Sequence, residues 1–315
     1  MRRVALIYNP ASGQYSARRK AAVEQVLEVL RTAGVEAQAF VTDTPGSGIA
    51  HAEQAVRAGY DAILACGGDG TVHEVLQSLV GTDVALGVIP LGTANALASD
   101  LGLAGAPVKA ARTLLKATRM RVPVGRIHFE NGRGPDSRYF LVAAGVGADA
   151  LLMSRLDPGL KRRFGYILYL IEAFRIWATD PLPLFDAAYA PNGNGGSRVA
   201  QVSQLLAVRV RSFGGALREL APGATLHSGA LHLLAFGTRS RYLYLRFLLA
   251  VLAGRHTFAS KIELVETTGV ECRARNGSRD TLFVEADGEV LGHLPARMET
   301  VPDALMLLVP QGAEP

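Results

Sequence analysis

Short apolar runs alternate with longer amphipathic ones over the first 120 or so residues, and this predicts strands and helices in turn. Val4–Tyr8 is apolar and short, as a buried strand is. Ser16–Ala33 has helical spacing, with Ala22, Val26, Val29 and Leu30 on one face and Arg18, Arg19 and Lys20 off it. Val35–Val41 then reads as a strand, Gly48–Ala58 as a helix and Ala62–Ala65 as a short buried strand. A glycine turn leads into a helix over Thr71–Leu79. Val84–Ile89 is a further strand, again followed by a glycine-containing turn and a helix. Repeated βαβ units of this kind imply a mainly parallel sheet covered on both faces.

Beyond about residue 121 the texture changes to β-type stretches: Val122–Phe129, Tyr139–Ala144, Leu205–Val210, Leu231–Ala235, Lys261–Val265, Thr281–Glu285 and Ala304–Val309. Helical patterns interrupt them near Lys161–Ala178 and Arg239–Ala253, and Pro191–Ser197 reads as a loop. Strand-rich sequence predicts an antiparallel sandwich or barrel. The expected architecture is an α/β domain over residues 1–120 and a β domain over 121–315, with the last residues free to return to the first domain.

Composition narrows the class. Of 315 residues, 49% are hydrophobic and 19% charged, which excludes a disordered chain. The net charge of +5 suits anionic surfaces or phosphorylated ligands but gives nucleic-acid binding no support of its own. Cys66 and Cys272 form no CxxC pair, which fits a reducing compartment and argues against a structural zinc site. The apolar run after Met1 is too short for a signal peptide. No stretch reaches the roughly 20 uncharged apolar residues of a membrane span.

The strongest chemical signal is Gly67-Gly68-Asp69-Gly70-Thr71, set between a buried strand and a helix. Glycines let backbone approach a phosphate closely, and the amides opening a helix favour negative charge. Asp69 cannot bind phosphate by itself; its natural role is to hold Mg²⁺ or to position a nucleotide through it. Asn9-Pro10-Ala11-Ser12-Gly13 and Pro90-Leu91-Gly92-Thr93-Ala94-Asn95 follow two other strands. In open α/β sheets, ligands bind at such carboxyl ends. A lone glycine turn is as well explained by helix capping; three at successive strand ends are not. Neither GxxxxGK[ST] nor GxGxxG is present, so P-loop and dinucleotide-binding Rossmann readings do not fit.

These motifs resemble the diacylglycerol kinase catalytic-domain family, shared with sphingosine and ceramide kinases. The resemblance includes Val72-His73-Glu74-Val75 after the glycine loop and resumes at Phe213-Gly214-Gly215, Ala221-Pro222-Gly223-Ala224 and Val284-Glu285-Ala286-Asp287-Gly288-Glu289. It implies an ATP-dependent lipid kinase with an N-terminal α/β domain, a C-terminal β-sandwich and ATP in the cleft between them. By that resemblance Asn9, Ser12, Gly13, Thr42, Gly67, Gly68, Asp69, Gly70, Thr71, Gly92, Thr93 and Asn95 line the nucleotide and phosphate site, with Mg²⁺ entering through the nucleotide and Asp69. Glu74 either contacts the base or caps its own helix. Asp287-Gly288-Glu289 resembles the family's catalytic DGE, in which a carboxylate accepts the proton of the lipid hydroxyl. Either Asp287 positions and Glu289 is the base, or the reverse. The bland alternative is a β-turn with Asp-Gly at its tip.

The match departs in two places. Ala96 follows Asn95 where many bacterial diacylglycerol kinases have aspartate, and with His73 this shifts the expected acceptor toward sphingoid lipids. Where the family often carries Asp-Asp-Gly for a structural Mg²⁺, this chain reads His227-Ser228-Gly229-Ala230-Leu231-His232, so no such Mg²⁺ is expected and both histidines are read as surface residues. Lys161-Arg162-Arg163 followed by Phe164, Tyr166, Tyr169, Phe174 and Trp177 reads either as a membrane-docking helix or as a stripe packed on the second domain. The expected protein is cytoplasmic and peripheral to the inner membrane face, with a lipid substrate, no nucleic-acid partner and a homodimer left open. The rival functions are a NAD kinase-like enzyme and a non-catalytic lipid- or nucleotide-binding regulator.

Overall fold

The computed structural model describes residues 1–10, 16–155, 175, 179, 182–192, 196–213, 219–254, 261–275 and 282–313. The aromatic stretch 164–177 apart from Arg175, with Ser12, Gly13, Gly214 and Gly215, lies outside them. The chain divides into two compact units, residues 1–124 with 302–315, and residues 125–301.

In the first unit, strands β1 (Arg3–Tyr8), β2 (Glu36–Val41), β3 (Ala62–Gly67) and β4 (Ala85–Pro90) are joined by helices α1 (Ser16–Thr32), α2 (Ser47–Arg57) and α3 (Asp69–Leu79). The strands lie side by side in the order β2-β1-β3-β4, every pair parallel. β3 and β4 are buried at all positions, which is why they read as unbroken apolar runs. Helices α4 (Ala96–Asp100) and α5 (Pro107–Leu114) follow β4; α5 opens with a proline, whose missing N–H costs nothing at that position. α1 packs beside α5, and α2 beside α3. The end of β15 (Glu289–Val309) joins the sheet alongside β4, with Leu307 opposite Leu86 in parallel register. The chain leaves β1 for β2 on one side and then crosses to β3 on the other, so a topological switch point lies between β1 and β3.

The second unit is a β-sandwich. One sheet runs β12 (Ile262–Thr267), β11 (Leu231–Phe236), β10 (Gln204–Val208), β7 (Ala143–Gly147), β14 (Phe283–Ala286) and the start of β15, all antiparallel. The other joins β5 (Thr118–Asn131), β6 (Gly134–Phe140), β8 (Phe185–Tyr189), β9 (Arg198–Val202) and β13 (Gly269–Ala274) through β15. Both contribute to one core containing Phe129, Phe140, Val146, Phe185, Leu205, Leu233, Val284 and Met298. Inward residues from two facing sheets filling one core is the sandwich arrangement. Among the described residues the unit also carries helices α6 (Ala148–Arg155) and α7 (Arg241–Leu252).

Tyr139–Ala144, expected as one strand, is the end of β6 and the start of β7 with a break between them. The break has a cause: the Leu141, Val142 and Ala143 amides turn to the Asp287 carboxylate. β8, β9 and β13 were not anticipated. Ala304–Val309 is the tail of a 21-residue strand whose earlier part the prolines at 295 and 302 obscured.

Candidate active site

In the first unit, the loops that leave β3 and β4 touch through bare backbone. The Leu91 N–H donates to the Gly67 carbonyl at 2.9 Å. A Cβ on Gly92 would stand 2.4 Å from the Gly68 Cα, so only glycine allows this approach. Asn95, held at a left-handed φ of 50°, closes the second loop on itself: the Gly92 N–H donates to its Oδ1 at 2.9 Å, and its Nδ2 donates to the Gly92 carbonyl at 2.8 Å. Asp69 ties the two loops, because its Oδ1 accepts the Ala96 N–H, the amide that opens α4, at 2.8 Å. Ala96 itself is buried.

The remaining predicted residues of this half divide into three groups. Gly68 stands at the N-cap of α3, so Asp69, Gly70 and Thr71 form its first turn, where helix amides favour an anion. Thr71 folds back over Gly67, its Oγ1 2.2 Å from where a Cβ on Gly67 would lie. Thr93 is exposed on the β4 loop, and Asn9 follows directly after β1. Thr42 is buried at the end of β2, where its N–H donates to the Tyr8 carbonyl at 2.9 Å and its hydroxyl to the same oxygen at 3.4 Å.

Glu74 does not cap its own helix: Oε1 accepts the Gly46 N–H and Oε2 the Gly48 N–H, each at 2.9 Å. Both oxygens hold the start of α2, a helix with no side-chain cap of its own. Cys66 lies just before the glycine loop, and burial pushes its thiol up, away from the reactive thiolate.

In the second unit, Asp287 and Gly288 are the two central residues of the hairpin between β14 and β15, with φ of 50° and 83° and Ala286 opposite Glu289. Two consecutive left-handed residues are what a two-residue hairpin turn requires, and Asp-Gly supplies them. The turn separates the two carboxylates. Asp287 is buried, and its oxygens accept the N–H groups of Leu141 at 3.1 Å, Val142 at 2.8 Å and Ala143 at 3.2 Å, while its own N–H donates to the Ala143 carbonyl. The Gly288 N–H donates to Glu285 Oε2 at 3.0 Å. Glu289 is exposed. Asp287 therefore builds the turn, and Glu289 stands exposed just after it.

Sequence reasoning missed Arg209, the largest fully buried side chain among the described residues, on which the charge of Asp287 acts. Its signal was available as a lone cation inside the apolar run Leu205–Val210. Of the two histidines read as surface residues, His227 is exposed, but His232 is buried on β11, 3.9 Å from Glu266. Burial, before the opposing pull of Glu266, holds its imidazole below the ordinary value. Among the described residues no group of three or more His, Cys, Asp or Glu is arranged to hold a metal ion.

Comparison with known proteins covers both units. Residues 3–127 match the diacylglycerol kinase catalytic domain, and residues 142–309 match the YegS C-terminal NAD kinase beta sandwich-like domain. The chain is 31% identical to a diacylglycerol kinase of Mycobacterium tuberculosis (strain ATCC 25618 / H37Rv) over 327 residues, covering 98% of this chain and 96% of that protein. It is 27% identical to a diacylglycerol kinase of Bacillus subtilis (strain 168) over 314 residues, covering 99% and 97%. A solved diacylglycerol kinase structure from Bacillus anthracis str. Sterne superposes with a TM-score of 0.71 at 18% identity, covering 99% of this chain and 98% of that one. At that identity the likeness concerns the fold.

Proposed function

The chain belongs to the diacylglycerol kinase catalytic-domain family, and from that premise we propose that it is a lipid kinase moving the γ-phosphoryl group of ATP onto a lipid hydroxyl. The observation that carries the reading is the bare-backbone contact of Gly68 with Gly92 at the carboxyl ends of β3 and β4, beside the switch point. Glycine loops of this kind suit a polyphosphate, and the first turn of α3 adds amides that favour its charge.

On this reading the β and γ phosphates lie against Gly67–Thr71 and the Gly92–Asn95 loop. The residues present suit a Mg²⁺ that arrives with the nucleotide: one carboxylate, Asp69, stands at the helix start, and Mg²⁺ is commonly held by one or two carboxylates plus substrate phosphates. The ion would offset charge on the transferring phosphoryl group. Glu289 accepts the proton as the lipid oxygen bonds to γ-phosphorus and the bond to the bridging oxygen of the departing ADP breaks. Asp287, engaged by backbone amides, holds the turn. The names of the relatives favour diacylglycerol over a sphingoid acceptor.

Membrane contact is assigned to α7. No described helix is long and apolar enough to cross a membrane. Five of the eight exposed large apolar side chains among the described residues lie on α7: Tyr242, Leu245, Leu248, Leu249 and Leu252. At 100° per residue they cover an arc on the order of 120°, while Phe247 and Val251 pack inward. Arg241 and Arg246 are exposed with them, and the helix has no acidic residue. Apolar residues with flanking cations suit an anionic lipid surface. Leu245→Asp/Leu249→Asp should cut co-sedimentation with phosphatidylglycerol vesicles at least fivefold and leave transfer to micellar lipid intact; unchanged co-sedimentation contradicts the assignment.

The kinase reading is tested by phosphoryl transfer from labelled ATP to micellar diacylglycerol, sphingosine and ceramide, with free NAD as a further arm. Labelled diacylglycerol, lost in Asp69→Ala, is the expected result. Labelled NAD without labelled lipid, or ATP bound with no transfer, overturns it.

A further inference from the structure

A cation buried inside a β-sandwich is costly unless something answers its charge. Arg209 is fully buried directly after β10, and its hydrogen bonds reach two separate segments, at Val142 and at Leu226–Ser228. Its N–H donates to the Val142 carbonyl at 2.9 Å, and the Val142 N–H in turn donates to Asp287 Oδ1 at 2.8 Å. Its guanidinium Nη2 makes long contacts to the carbonyls of Leu226 at 3.4 Å and Ser228 at 3.5 Å. Asp287 is the opposite charge that acts on it.

We infer that Arg209 is a positioning residue: an internal cation that pins the Asp287 turn and the 226–228 segment to the β7–β10 pair, and so fixes where Glu289 is presented. The inference rests on the lipid-kinase reading for its catalytic consequence. Burial lowers the guanidinium pKa to about 10, which still leaves it charged at neutral pH. Such an arrangement suits a carboxylate that must stay in place. The amides hold the Asp287 oxygens in position, and the guanidinium answers their charge. Glu289, two residues on, is then carried by a fixed hairpin.

The test compares Arg209→Met, which keeps length and loses charge, with Arg209→Lys, which keeps charge. The expected result for Arg209→Met is a fall in kcat of at least tenfold with KM for ATP within about twofold of the parent. Arg209→Lys should recover kcat to within about threefold. A parent-like kcat in Arg209→Met, or a loss that lysine fails to recover while both variants melt like the parent, overturns the inference. If Arg209→Met does not fold, Arg209→Met/Asp287→Asn removes both buried charges and should fold again; an equally unfolded double variant contradicts the pairing. This thermal readout needs no substrate, so a parent that transfers nothing to lipid would remove the kinase reading and leave the pairing to be judged separately.

Discussion

The candidate residues of the first unit act through backbone, with glycines at 67, 68 and 92 and a helix start; those of the second unit act through a side chain, one buried carboxylate drawing amides 141–143 around it. A backbone site tolerates no added atoms but needs few particular side chains, which suits a ligand rich in oxygens and charge. A carboxylate-anchored turn depends on one residue for its shape and leaves Glu289, two residues on, exposed. The two halves should therefore fail differently when altered.

The largest effect is expected at Asp287. Asp287→Ala strands three buried amides and the Arg209 charge, and should destabilise the protein by about 3–5 kcal/mol while abolishing transfer. Urea unfolding measures this; a loss of activity at parent stability would mean that Asp287 is not the anchor. Gly92→Ala comes next. Its Cβ meets the Gly68 backbone, which cannot swing aside as a long side chain does. About 1–3 kcal/mol of stability and at least a tenfold weakening of ATP binding by calorimetry are expected. Unchanged ATP affinity would separate this contact from the nucleotide. The smallest effect is at Glu74: removing its carboxylate leaves the α2 amides to water, at a cost of about 1–2 kcal/mol, with KM for ATP within twofold. A larger rise in KM would return Glu74 to the nucleotide site.

The same contrast explains what the sequence revealed. β1 to β4 and the helices between them are local patterns, and Gly67–Thr71 announces its own turn because glycine is needed at the spot where it occurs. The second unit depends on pairings between distant residues. β9 is mostly exposed and β6 opens with Gly-Pro-Asp, so neither stands out in a window of sequence, whereas the alternation Val270-Glu271-Cys272-Arg273-Ala274 of β13 was there to be read. Asp287 and Glu289 could be singled out, but not told apart: the choice depends on amides 144 to 146 residues away. Glu74 is similar, since its partners lie 26 and 28 residues upstream. Arg209 showed only as a charge out of place in an apolar run.

The division of labour within the Asp287–Glu289 hairpin is tested most directly by Glu289→Gln, with kcat for diacylglycerol and the melting temperature measured on the same preparation. The account predicts a loss of about 10²–10⁴ in kcat, the usual worth of a general base, at an unchanged melting temperature. A variant that still phosphorylates lipid at the parent rate would contradict it and pass the proton to another group.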